Sequence, residues 1–207
     1  MQPLLIETQY LPPVQTLFHA HRLGTLVLEA HETYQKGSYR NRCHLAGANG
    51  LQILSIPLER GKNERMRIRE VRTSDHTDWQ RQHWQTIRSA YGRAPYFEFY
   101  ADRLEPHFRQ PAPLLFAWNE TLLRILIECL RLPITVTHSD EFLPFDTDTF
   151  HDLRGVVHPK RHRARRPDPT FTPHPYPQLF TERHGFLPNL SALDLLFCLG
   201  PEAASVL

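Results

Sequence analysis

An α/β fold with a mixed sheet is predicted by three features of the sequence. Short apolar runs bounded by turn residues fill the N-terminal half, and long stretches of helical period fill the middle. The first apolar run, a helical stretch and the second apolar run follow one another as in a βαβ unit. Five or six strands are expected, from the N-terminal half plus residues 134–137, with helices from residues 75–132 packed on them. The 207 residues fit one domain over 1–207, with 143–175 as an irregular, basic insertion or loop.

Residues 3–7 read as the first strand. Pro12 and Pro13 stop it and start a helix, along which Val14, Leu17, Phe18 and His21 recur at helical spacing. Gly24 ends that helix, and residues 25–29 read as a buried strand. Residues 42–46 and 51–58 are strands joined by the turn-forming Gly47-Ala48-Asn49-Gly50. Residues 66–72 alternate apolar and basic side chains and predict a half-exposed strand. Asp75 or Thr77 can cap a helix running to Tyr91, where Gly92 and Pro95 end it. Helices are also expected over 97–108 and 113–132, a late strand over 134–137, and a short helix from Ser191 to Leu199. Many of the 18 prolines fall between Pro144 and Pro188, which marks that stretch as irregular.

Composition excludes several classes. A hydrophobic fraction of 41% and a charged fraction of 22% are those of a folded globular chain. A net charge of +2 is too small to argue for nucleic acid or membrane by itself. Cys43, Cys129 and Cys198 form no CxxC pair and read as reduced, buried thiols, which fits a cytoplasmic location. The apolar stretch 114–132 is broken by Asn119, Glu120, Arg124, Glu128 and Arg131, so no membrane span is expected. There is no HExxH, GxGxxG, P-loop or GxSxG motif, and no metal or cofactor is expected.

Several stretches in order resemble the WbqC-like protein family. They are Tyr10-Leu11-Pro12; Tyr34-Gln35-Lys36 running into Tyr39-Arg40-Asn41-Arg42; Gly47 to Gly50 leading to Leu54-Ser55-Ile56-Pro57; Trp79 with His83, then Ile87, Tyr91 and Ala94-Pro95-Tyr96-Phe97; and Phe186-Leu187-Pro188-Asn189-Leu190-Ser191 with Leu193 to Phe197 and Gly200. The resemblance implies a setting in O-antigen and other surface polysaccharide synthesis, and for some members the attachment of glycine to a sugar. It therefore implies an acyl or aminoacyl transferase acting on a sugar-bearing precursor. Two positions depart from the pattern. Ile6-Glu7-Thr8 stands where many members have His-Gln-Pro, and Ala30, beside Glu29, stands where an aspartate is common.

The candidate site residues follow from chemistry. Arg40 and Arg42 bracket Asn41, and on a strand the two guanidiniums would share a face and clamp an anionic group. Their alternative role is a surface pair held by Glu29 or Glu32. His83 lies on an apolar helix face between Trp79 and Ile87, as a general acid–base or as a satisfied core histidine. Glu29 and His31 lie two apart after a strand, where a carboxylate can orient an imidazole, or they mark an ordinary strand exit. Tyr10 and Asn119 complete the candidate substrate-binding set. Cys43 beside Arg42 is a remote candidate nucleophile.

A reading from another class rests on residues 158–166, where Lys160, Arg161, Arg163, Arg165 and Arg166 can grip phosphates. It makes the chain a non-catalytic RNA- or anion-binding protein, although the run contains no aromatic stacking partner. The transferase reading instead expects a small anionic or sugar-bearing substrate, an aminoacyl donor, and Arg40, Arg42 and His83 converging on one pocket.

Overall fold

The computed structural model describes residues 2–59, 66–146 and 148–207. Strand β1 (Leu4–Glu7), helix α1 (Val14–Leu23) and strand β2 (Thr25–Glu29) form the βαβ start. The hairpin β3 (Arg42–Gly47) and β4 (Gly50–Ser55) follows, then three helices: α2 (Trp79–Tyr91), α3 (Phe97–Phe108) and α4 (Leu115–Cys129). Strands β5 (Thr135–His138) and β6 (His151–Asp152), the single-turn helix α5 (Thr181–His184) and α6 (Ala192–Leu199) complete the order.

Parallel and antiparallel pairings sit in two separate sheets. β5-β2-β1-β6 is all parallel, and β3-β4 is a two-stranded antiparallel sheet. β1 and the last four residues of β2 are buried throughout, which is why both read as continuous apolar runs. Each ends on a glutamate, and Glu7 and Glu29 face each other in register at the carboxyl end. Between β1 and α1 the chain turns through Leu11, fully buried with φ of 44°, a left-handed conformation that costs a non-glycine residue free energy. Gly24 takes φ of 73° and caps α1 through its N–H to the Ala20 carbonyl.

The middle helices carry an aromatic core. Trp84 stacks on Phe97 and Phe108, and Trp118 meets Phe108 and Trp79 edge-on. Every residue of α6 is buried, so this helix lies inside the packing instead of covering it. Ser191 caps it, accepting from the Leu193 N–H.

Two sequence expectations are corrected here. Residues 66–72 form no strand: Ile68–Glu70 is a single 3-10 turn, with isolated bridges at Thr33–Arg67 and Arg72–Leu114. Ile68 and Val71, both fully buried, are three residues apart, which suits the 3-10 repeat. The helix over 79–91 begins at Asp78 with no side-chain cap from Asp75 or Thr77. Unexpectedly, the proline-rich stretch contributes β6 to the sheet. Among the described residues no helix is long and apolar enough to cross a membrane.

Candidate functional site

The carboxyl ends of β1, β2 and β6 bring together Glu7, Glu29 and Asp152, and the chain adds Glu32, Arg40 and Arg154; all six are buried. Arg154 donates from Nη1 to Glu29 Oε2 at 2.9 Å and from Nη2 to Asp152 Oδ2 at 2.8 Å, and also to the Leu143 and Pro144 carbonyls. Arg40 donates through Nε to Glu32 Oε1 at 2.8 Å and through Nη2 to Glu32 Oε2, with Glu7 Oε1 3.8 Å from Nη1. Burial pushes the Asp152 carboxyl up, but the Arg154 bonds outweigh it and hold it below its usual range. Burial pushes the Glu32 carboxyl up to about 7, against the opposing pull of Arg40. This network clamps loops onto the sheet end and leaves its guanidiniums no free face for a ligand.

The structure separates the candidates chosen from sequence. Arg40 lies in a 3-10 turn (Tyr39–Asn41), not on a strand, so it does not share a face with Arg42. Its partner is Glu32, one of the two acids considered from sequence. Arg42 opens β3, half-exposed, and its buried Nε has no partner among the described residues. Asn41 donates to the Ile56 carbonyl at 2.9 Å and Asn119 to the Arg40 carbonyl at 2.7 Å. Tyr10 Oη meets His83 Nδ1 at 2.9 Å inside the core, and His83 also bonds the Ser55 backbone. Burial lowers the His83 pKa to about 4, keeping the ring neutral. Glu29 Oε1 accepts from the backbone N–H of His31 at 2.9 Å, not from its ring, so the two form no acid–base pair. None of Arg40, Arg42 and His83 lines either of the two large clefts. Cys43 is fully buried and its thiol is pushed up by burial, the opposite of activation by Arg42.

One of these clefts, about 790 Å³, lies between the hairpin and residues 156–173. Tyr39, His44 and Leu51 form one wall, and His158, Arg165 and Arg166 form the other. It adjoins the buried network: Val156 follows Gly155, whose N–H donates to Glu7 Oε2 at 3.0 Å, and Tyr39 precedes Arg40. The carboxyl end of a parallel sheet is where ligands bind in α/β folds. His44 is half-buried, its ring edge-on to Tyr39 at 5.3 Å, and no side-chain hydrogen bond engages its ring nitrogens among the described residues. Burial, then the nearby Arg42 guanidinium, lowers its pKa and keeps the ring neutral at pH 7. A neutral, unengaged imidazole facing a cleft can accept a proton. His44 was not among the sequence candidates. The signal was there, since on β3 it alternates with the inward Cys43 and Leu45.

The far wall is held by its own ion pairs. Arg165 and Arg166 reach Asp146 at 2.5 and 2.8 Å, and Arg166 also donates to the Asp152 carbonyl. Phe145 lies between the guanidiniums of Arg154 and Arg165, at 4.5 and 4.9 Å, so an aromatic does meet the basic segment, from elsewhere in the chain. Lys160 and Arg163 are exposed; the side chain of Arg161 lies outside the described residues. Asp168 anchors the segment to α1 through His19 and Gln15, each at 2.7 Å. Burial raises the Asp168 carboxyl, but bonds from Thr170, Gln15 and His19 prevail and hold it at about 2. The other cleft, about 840 Å³, opens beside Trp79 and Trp84. Its Arg72, Arg81 and Arg109 are paired with Glu59, Asp78 and Glu105 on its own rim.

Comparison with known proteins gives a consistent picture. The model of the WbqC-like protein family matches residues 8–163, from the turn after β1 into the basic segment. The chain is 26% identical over 194 residues, 84% of this chain and 83% of the relative, to the uncharacterized protein Rv1507c of Mycobacterium tuberculosis (strain ATCC 25618 / H37Rv). No solved structure matches the chain. A family match that takes in the sheet turn, the hairpin, the middle helices and most of the buried network leaves one conclusion: the chain belongs to the WbqC-like protein family.

Proposed function

We propose that the chain is an acyl or aminoacyl transferase of glycyl type. Its acceptor is an anionic, sugar-bearing precursor of a surface polysaccharide of the O-antigen kind, held in the cleft between the hairpin and residues 156–173. The observation that carries this reading is His44, a neutral ring with no side-chain partner on a cleft wall that faces His158, Arg165 and Arg166. Arginine at the far wall suits phosphate or carboxylate on the acceptor. His44 is placed to take the proton of the acceptor's attacking amine or hydroxyl as it adds to the donor's acyl carbon, and to return it to the donor's thiol or hydroxyl as the acyl–carrier bond breaks. The glycyl character and the polysaccharide setting come from the family resemblance.

The reading in which residues 158–166 bind RNA is weaker, because the segment itself contains no Phe, Tyr or Trp to stack on a base. A thermal-shift panel of nucleotide sugars, sugar phosphates, acyl thioesters, amino acids and short RNA separates the two. A shift with a sugar derivative that is lost in His44→Ala and Arg166→Ala supports the transferase site. A shift with RNA alone, abolished by salt, moves the function to the basic segment. Binding of a sugar derivative unchanged in both variants removes the cleft from the mechanism.

A further inference from the structure

We propose that β4 is the pairing edge of a two-fold homodimer, in which a second copy of this chain adds its own β4 antiparallel to the first. This goes beyond the transferase reading and does not depend on it.

The backbone register carries the inference. Ile56 N–H donates to the Asn41 carbonyl, and from there the ladder pairs Cys43 with Leu54, Leu45 with Gln52, and Gly47 with Gly50. In an antiparallel pair, hydrogen-bonded positions alternate. The N–H and C=O groups of Leu51, Ile53 and Ser55 therefore point away from β3. Ser55 is engaged by His83. The groups of Leu51 and Ile53 take no partner among the described residues. The opposite edge is covered: the His44 carbonyl accepts from Ser191 N–H, and Ala46 N–H donates to Tyr91 Oη.

A free edge is a hazard that soluble proteins blunt with charge, proline or a bulge. β4 has none of these: it reads Gly-Leu-Gln-Ile-Leu-Ser. Leu51 and Ile53 are instead 52% and 51% exposed on one face. On the other side lies a shallow depression of about 330 Å³ lined by Gln52, Gln82, Gln85, Thr86 and Ser89, all uncharged. An apolar strip with an uncharged polar rim is the composition of an interface centre, from which charge is depleted.

The occupant follows from self-complementarity. A two-fold axis at Gln52 sets Leu51 opposite Ile53 of the second copy, and Ile53 opposite its Leu51. The unpaired groups of both residues are then all satisfied, two bonds to each pair, while Ser55 keeps its bond to His83. Leu51 packs against Ile53 of the other copy on the same face. With no charge on β4, two copies meet without like-charge repulsion. Because Leu51 also lines the hairpin wall of the cleft, the second strand would extend that wall.

The test is the mass of the full-length chain in solution by light scattering at tens of micromolar, with amide hydrogen exchange on the same sample. The expected result is twice the 24.3 kDa chain mass. Leu51 and Ile53 amides should exchange about a hundredfold slower than in the Ile53→Lys variant. That variant should run as a monomer with unchanged circular dichroism, since Ile53 is half-exposed and outside the cleft lining. Should Ile53→Lys misfold, Ile53→Thr, isosteric in branching and less apolar, should weaken the dimer instead. A monomeric wild type overturns the proposal, whether its Leu51 and Ile53 amides exchange fast or are protected within the single chain. So does a dimer that persists in Ile53→Lys with those amides unprotected.

Discussion

Two adjoining groups of arginine, one buried and one exposed, use their charge in opposite ways. At the sheet end, Arg40 and Arg154 are 2% exposed and ion-paired, and every named donor of Arg154 meets a carboxylate or carbonyl. Beside it on the cleft wall, Arg165 and Arg166 hold Asp146 and the Arg154 and Asp152 carbonyls while remaining exposed. In the first pair, Arg154 ties together segments more than a hundred residues apart and Arg40 holds Glu32 eight positions away. The second leaves charge where a ligand can reach it. A buried guanidinium with full valence is a structural clamp, and under the proposed function recognition falls to the half-open one.

The largest test of that contrast is Arg154→Ala. It takes the ion-pair partner from buried Glu29 and the nearer of the two guanidiniums from Asp152, and should lower the unfolding free energy by about 3–5 kcal/mol in denaturant titration. Arg166→Ala, by contrast, should stay within about 0.5 kcal/mol of wild type. If the two variants lose equal stability, the division between clamp and recognition site fails.

The core histidine gives a test by pH. The His83 pKa is about 4 when folded and is the ordinary 6.5 when unfolded, so between these values the unfolded chain binds the extra proton. The stability contributed by neutral His83 is therefore present above pH 6.5 and is lost as pH falls toward 4. On the order of 3 kcal/mol is at stake. His83→Gln should flatten that part of the stability profile relative to wild type, and parallel profiles would contradict a buried neutral ring.

Smaller effects separate positioning from binding. Asn119→Ala leaves the Arg40 carbonyl without its donor and should cost about 1–3 kcal/mol, read as a fall in melting temperature. His44→Ala removes a half-buried ring with no hydrogen bond and should change stability by about 0.5 kcal/mol or less. Under the proposed function, its effect should fall on turnover. Wild-type turnover in His44→Ala would remove it as the base.

Family membership sharpens the meaning of two departures. Glu7 stands where many members have a glutamine, and its Oε1 is buried with no hydrogen-bond partner among the described residues. Glu29, beside Ala30, accepts from His31, Ser139, Leu143 and Arg154. The carboxylates of Glu7 and Glu29 lie inside the clamp, not in the cleft.

Most of the helices and strands were legible in the sequence because period and punctuation are local, while β6 and the turn at Ile68–Glu70 were not. The apolar runs of β1 and β2, Gly24 after α1, and the spacing along 97–108 each need only neighbouring residues. The family was legible for the same reason, through short stretches kept in order. The site was not. Arg154 meets Glu29 across 125 positions, and nothing near either residue announces the other. Residues 66–72 looked like a strand because Met66 and Ile68 alternate with arginines, but Val71, three residues after Ile68, breaks that period and fits the 3-10 turn. The apparent Arg40–Arg42 clamp came apart because Ser38, whose hydroxyl accepts from the Arg40 N–H, opens a 3-10 turn that ends before β3 begins. Local sequence thus determined which elements form. Only the packed chain decided which charges are buried with partners and which stay open, because that depends on pairings between segments distant in sequence.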